Sequence, residues 1–140
     1  MIILSCDHAG FDYMQKLMKY FDNKNIEYEY MGPETYNPED DYPDFIKPAV
    51  KQVLKDNDNC GIFMCGSGAG ANMVANRNKE IRAICASDPV EAFFARKDED
   101  ANVLTIGSRF VSFRKALKII QIFLTSEFEG GRHARRIAKY

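Results

Sequence analysis

The sequence has no excess of either charge, no long apolar run, no closely paired cysteines and no internal repeat. Its 19 Lys and Arg residues stand against 20 Asp and Glu residues, a net charge of −1. No global field therefore draws the chain to nucleic acid or to a membrane surface. No apolar stretch approaches the ~20 residues that span a bilayer. The first residues, Met1 to Asp7, carry no basic segment and meet an acid at once, so no signal peptide is expected there. The four cysteines, Cys6, Cys60, Cys65 and Cys85, form no C-x-x-C pair. That removes the usual zinc spacing, and free thiols suit a reducing cytoplasm. From these absences no zinc site, nucleic-acid partner or membrane partner is expected.

What is present is an ordinary globular composition, 46% apolar and 28% charged over 140 residues. A chain of this length buries ~70% of its unfolded surface and needs no disulfide or metal to fold. Short apolar runs alternate with longer amphipathic ones. Strands are expected at Ile2–Cys6, Ile26–Met31, Gly61–Cys65, Arg82–Ala86 and Val103–Ile106. Helices are expected at about Phe11–Lys24, Phe45–Lys55, from the glycine turn to Asn76, from Asp88-Pro89 onward, and from Ser112 to Thr125. Gly32–Asp44, with its prolines and acids, reads as a loop. The strands are continuous apolar runs, as expected when both sheet faces are covered. The fold class is therefore α/β: a single domain, residues 1–140, with a Rossmann-like, doubly wound, five-stranded and mainly parallel sheet and helices on both faces. Ligands of such sheets bind beyond the carboxyl ends of the strands.

Three strand ends then carry the chemistry. The sharpest is Cys65-Gly66-Ser67-Gly68-Ala69-Gly70, a strand feeding a glycine-rich turn into a helix. It gathers backbone N–H groups into an anion site, and the glycines let a ligand approach closely. No lysine follows, which excludes a Walker-type phosphate loop, and strand one lacks the glycines of a dinucleotide fingerprint. A thiol at such a mouth is drawn toward thiolate, so Cys65 reads as a base or nucleophile, set against a packed core cysteine. Core packing accounts for Cys6, Cys60 and Cys85. Asp7-His8 reads equally as a capping aspartate with a surface histidine, or as a grip on a polyol or phosphate. Asp41-Tyr42-Pro43 by itself reads as a rigid turn. Arg132 and Arg136 are four apart, so a helical tail puts both on one face: a phosphate clamp, or a solvated basic tail.

Taken together, Cys6-Asp7-His8-Ala9-Gly10, Asp41-Tyr42-Pro43, Cys65-Gly66-Ser67-Gly68-Ala69-Gly70, Asn102-Val103-Leu104, Gly107-Ser108-Arg109 and Glu129-Gly130-Gly131-Arg132-His133 resemble the family of type B ribose-5-phosphate isomerase and the galactose-6-phosphate isomerase subunits. The resemblance implies a metal-free and cofactor-free aldose–ketose isomerase acting on a sugar phosphate through an enediolate. It implies Cys65 as the base, Ser67 on the reacting oxygens, and the Gly66–Gly70 amides, Gly66, Gly68 and Gly70 among them, around the developing charge. It places Asp7 on the sugar hydroxyls, His8, Arg109, Arg132 and Arg136 on the phosphate side, and Tyr42 among the substrate-binding residues. It implies a homodimer or homotetramer whose sites lie between subunits, with the C-terminal tail at that interface.

One departure stands out. Where the family usually carries His-Asn, for ring opening and substrate contact, this chain has Asp98-Glu99. Near pH 7 an imidazole exchanges protons and an ordinary carboxyl, with a pKa of about 3.9, does not. The resemblance thus points first to ribose 5-phosphate. A four-carbon sugar phosphate, allose or galactose 6-phosphate, and a non-catalytic sugar-phosphate-binding subunit, are the alternatives. A dinucleotide-dependent oxidoreductase has little support from strand one.

Overall fold

The computed structural model describes residues 1–140. Five strands and six helices follow in the order β1 (Ile2–Cys6), α1 (Phe11–Asn23), β2 (Tyr28–Tyr30), α2 (Tyr42–Val53), β3 (Cys60–Cys65), α3 (Ala69–Ala75), β4 (Ala83–Cys85), α4 (Pro89–Glu99), β5 (Val103–Gly107), α5 (Phe113–Thr125) and α6 (Arg132–Ile137). The sheet order is β2-β1-β3-β5-β4, and every pairing is parallel. No helix is long and apolar enough to cross a membrane.

The strands are apolar at nearly every position because each side of the sheet has its own core. Leu4, Cys6, Ile62, Met64, Leu104 and Ile106 pack with Met14, Leu17 and Phe21 of α1, Ala92 and Ala95 of α4, and Ile119, Ile120 and Phe123 of α5. The alternate residues Ile3, Phe63, Cys65 and Val103 face Ile46, Val50 and Val53 of α2 and Ala71 and Ala75 of α3. This is the period of two that puts successive side chains on opposite faces. Each large aliphatic side chain so buried contributes ~1.5–3 kcal/mol.

The main difference from the sequence reading lies at α2. Asp41-Tyr42-Pro43 is a helix start rather than a rigid turn, and the preceding loop ends before Asp44. Asp41 is the N-cap in an extended conformation, and Pro43 lies in the first turn, where a missing N–H costs nothing and the fixed φ is already helical. At α4 the expected start is present as a full capping box. Asp88 accepts from the Val90 N–H at 2.9 Å, and the Glu91 side chain accepts from the Asp88 N–H at 3.1 Å. The tail folds into α6 after Gly130 and Gly131, both at positive φ.

Candidate active site

The chain winds from β1 to β2 on one side of β1 and to β3 on the other, which makes the gap between the carboxyl ends of β1 and β3 the topological switch point. A cleft of about 240 Å³ opens there, lined by Asp7, His8, Ala9, Tyr42, Cys65, Gly66, Ser67, Gly70 and Arg109. A second hollow of about 510 Å³ abuts it and shares His8, Ala9 and Arg109. The largest hollow, about 750 Å³, lies at the opposite, amino edge and contains none of the expected site residues. Its Arg82 and Arg96 are both held by Asp100, at 2.9 and 3.1 Å.

Cys65 ends β3 almost wholly buried, 4% exposed, at the floor of the cleft. Its sulfur accepts from the Gly68 N–H at 3.2 Å, and the Ala69 N–H turns to Ser67 Oγ at 3.3 Å. These two amides are used within the turn, which narrows the expected cradle. The Gly66, Ser67 and Gly70 amides engage neither a backbone carbonyl nor a side chain, and all three residues line the cleft. Such preorganised donors suit an oxyanion. Gly68 has φ 78°, and a Cβ there would lie 2.8 Å from the Gly107 nitrogen, so the turn is pressed against β5. The Tyr42 ring covers Gly70, and the Arg109 guanidinium covers Gly66.

The β1 end is braced from two sides. Asp7, 5% exposed, accepts from the Gly10 N–H at 3.0 Å, so it does cap its turn, and it lines the cleft as well. Ser108 donates to the Ala9 carbonyl at 2.6 Å. The Ser108 and Arg109 N–H groups donate to the Cys65 and Gly66 carbonyls at 3.0 and 3.1 Å. These bonds lock the three strand ends together. His8 Nδ1 lies 2.6 Å from Asp40 Oδ1, and the same oxygen accepts from the His8 N–H at 3.0 Å. The hydrogen bond to Asp40 raises the His8 pKa above its usual 6.5. Partial desolvation works against it, and the charges of Asp7 and Asp40 add to it.

Asp40 and Tyr36 were invisible to the sequence reading. Asp40 sits in the run Glu39-Asp40-Asp41, and nothing local marks which of these carboxylates turns inward. Cys6 is the core thiol expected of it, and Cys60 is only partly buried, packed against the core's edge. Burial pushes Cys6 up to about 12 and raises Cys60 as well. Cys85, by contrast, is exposed.

Four expected site residues lie elsewhere in the chain. α4 leaves the carboxyl edge and ends at Glu99, shortly before β5 begins. Asp98 and Glu99 therefore sit at the amino edge, a strand length of ~13 Å from Gly107. The tail is tied to this end of α4. Asp98 Oδ1 lies 3.7 Å from Nε2 of the buried His133, Lys97 pairs with Glu129 at 2.8 Å, and Tyr140 donates to Glu99 at 2.7 Å. Arg132 and Arg136 are exposed on α6, and Arg132 Nε lies 3.3 Å from His133 Nε2. The expected residues thus form two groups, one in the cleft and one on the α4–α6 corner.

Two triads bring ligand-type atoms together, Asp7-His8-Asp40 and Asp98-Glu129-His133. In the first, His8 Nδ1 is taken by Asp40 and an Asp7 oxygen by Gly10. In the second, Glu129 is taken by Lys97.

The chain is similar to known proteins along nearly its whole length. The sequence pattern of the family described as Ribose/Galactose Isomerase matches residues 2–140. Ribose-5-phosphate isomerase B of Escherichia coli is 34% identical over 137 residues, covering 97% of this chain and 91% of its own. The crystal structure of the Mycoplasma genitalium ribose-5-phosphate isomerase B with bound ribulose-5-phosphate superposes with a TM-score of 0.94 at 37% identity. It covers 99% of this chain and 91% of that one. The Thermotoga maritima enzyme gives 0.93 at 38% identity, with 99% and 94% covered. A likeness that runs through the whole chain, in sequence and in backbone alike, means that this protein belongs to the ribose/galactose isomerase family.

Proposed function

We propose that the chain is an aldose–ketose isomerase that interconverts ribose 5-phosphate and ribulose 5-phosphate through an enediolate. The observation that carries this reading is Cys65 at the floor of a cleft lined by the free amides of Gly66, Ser67 and Gly70 and by His8 and Arg109, which also line the adjoining hollow. In this reading the Cys65 sulfur takes the proton from C2 of the open aldose, the O2 hydroxyl proton passes to O1, and Cys65 returns its proton to C1, so that the carbonyl moves from C1 to C2. The three amides and Ser67 Oγ hold the enediolate oxygens, where charge develops in the transition state. Asp7 and Tyr42 contact the sugar, and His8 and Arg109 hold the phosphate.

The second group of residues finds a place if the working unit is a homodimer. Arg132 and Arg136 of the partner subunit would then close the phosphate end, with Asp98 and Glu99 of the partner subunit beside the sugar. The exposed apolar face of α4, with Val90, Phe93 and Phe94 at 60%, 40% and 47% exposure, and the open edge of β4 suit burial against a second copy. A homotetramer is compatible with the same pairing. Four free cysteines suit a cytoplasmic setting.

Asp98 favours a second reading of the substrate. A four-carbon sugar phosphate with its phosphate on the terminal carbon cannot close the usual five-membered ring, so it needs no ring-opening acid. The test is a panel of aldose and ketose phosphates of four to six carbons, assayed without added cofactor. Interconversion of ribose 5-phosphate supports the main reading, and turnover confined to the four-carbon pair selects the second. Binding without turnover of any member would reduce the chain to a sugar-phosphate-binding subunit.

A further inference from the structure

The Asp40 carboxylate is an unusual object. Its side chain is only 6% exposed, and Oδ1 holds His8 twice, through the ring and through the backbone. Oδ2 is buried with no hydrogen-bond partner. A buried carboxylate with half of its acceptor capacity unmet is costly unless a positive charge compensates it, and the ring at 2.6 Å is the group placed to carry that charge. We propose that Asp40 is a positioning residue for the phosphate end of the site: it fixes the His8 ring through Nδ1 and keeps it an imidazolium, so that Nε2–H can grip a dianion together with Arg109. This rests on the sugar-phosphate reading above and adds to it a residue that never meets the substrate.

The surroundings agree. Around the hollow that His8 lines stand Asp12 of α1, Tyr36 of the loop and Arg109 after β5; across the adjoining cleft are Asp7, Tyr42 and Cys65. Arg109 is the one full positive charge among them. Without Asp40, a neutral imidazole would leave it as the only cation facing the phosphate from this subunit. The sign is fixed by the upward displacement of the His8 pKa. The imidazolium persists below the raised value and is lost as pH climbs through it. Removing the Asp40 charge brings the loss to lower pH.

Asp40→Asn tests this in the full-length protein. The amide oxygen can accept the same two hydrogen bonds, so the ring stays placed while the charge goes. The chain has only two histidines, so proton NMR follows His8 directly, with the buried His133 as an internal check on folding. The probe ligand is sulfate, a dianion throughout the range. Expected are a downward shift of the His8 titration, sulfate binding several-fold weaker at a pH between the two midpoints that the NMR gives, and no difference at a pH well below both, where either imidazole is charged. In turnover, KM should rise at the higher pH with kcat held. An unchanged His8 titration, or a loss of sulfate affinity equal at both pH values, overturns the proposal, since both describe a merely structural Asp40. The NMR and sulfate readouts need no turnover. Failure of the isomerase reading would leave them intact, and failure of the Asp40 role would leave the isomerase reading intact.

Discussion

Gly66 and Gly68 stand two residues apart in the same turn, yet alanine at each should fail in a different way. At Gly66 a Cβ would lie 2.9 Å from Arg109 Cζ, 3.0 Å from Nη1 and 3.1 Å from Nε. The guanidinium must retreat by roughly 0.5 Å to reach a normal contact of ~3.5 Å. Arg109 is exposed and long, so the fold accommodates this within ~0.5 kcal/mol. The phosphate grip does not, because charge-assisted N–H···O bonds hold at only ~2.7–2.9 Å. Losing one is worth ~1.5–3 kcal/mol, which at ~1.4 kcal/mol per decade raises KM roughly 10- to 100-fold. kcat should hardly move, since the phosphate is bound alike in ground and transition states. At Gly68 the Cβ meets Cys85 Sγ at 2.7 Å and the Gly107 nitrogen at 2.8 Å, with φ at 78°. Central-strand backbone cannot step aside. Left-handed strain of ~1–2 kcal/mol and overpacking of ~1–3 kcal/mol then fall on stability, and Tm drops by on the order of 10 °C. Calorimetry and initial rates on both variants decide the matter. A Gly66→Ala protein with unchanged KM and unchanged Tm would refute the placement of Arg109 on the phosphate.

Cys65→Ala should abolish exchange of the substrate C–H with solvent while sulfate still binds; retained exchange, read by NMR in D₂O, would remove Cys65 from the proton path. Arg132→Ala and Arg136→Ala should each raise KM about tenfold or more with little change in Tm, because both side chains are exposed on α6 and a charged hydrogen bond is worth ~1.5–3 kcal/mol. Asp98→His, which puts an imidazole beside His133, should raise kcat/KM on ribose 5-phosphate relative to a four-carbon sugar phosphate; an unchanged ratio would mean that ring opening is served from elsewhere. Phe93→Glu should convert the proposed dimer to inactive monomers, and sedimentation paired with activity checks it: an active monomer would show that each cleft works alone.

The five strands were legible in the sequence because the sheet is covered on both sides and its strands are near-continuous apolar runs. Ile2–Cys6 matches the reading at both ends. Helix α4 was legible from Asp88-Pro89, since its cap is local chemistry. The start of α2 was not, because proline at a helix N-terminus and proline in a turn share one sequence signature. The cleft residues on β1, β3 and β5 could be named because a parallel sheet brings all carboxyl ends to one edge. Asp40 could not be named, because its partner His8 lies 32 positions away and the loop between them follows no period. No local pattern gave the separation of Asp98 and Arg132 from Cys65 within one chain; only the resemblance, with its sites between subunits, allowed for it. Sequence order gives no measure of which edge a helix end reaches until the helix is laid on the sheet.

The bond from Ser108 to the Ala9 carbonyl joins residues 99 positions apart. It closes one of the longest loops in the chain, and loop-closure entropy must be overcome before such contacts stabilise anything. During synthesis β1 therefore waits, with the first strand end open, until β3 has emerged to flank it and β5 has paired with β3 to bring Ser108 to its end. A truncated or stalled chain ending before Gly107 would have its cysteine and most of its core, but no lock on the cleft. Catalytic competence should thus be among the last properties gained on refolding, trailing the recovery of helix signal, and among the first lost when the sheet begins to open.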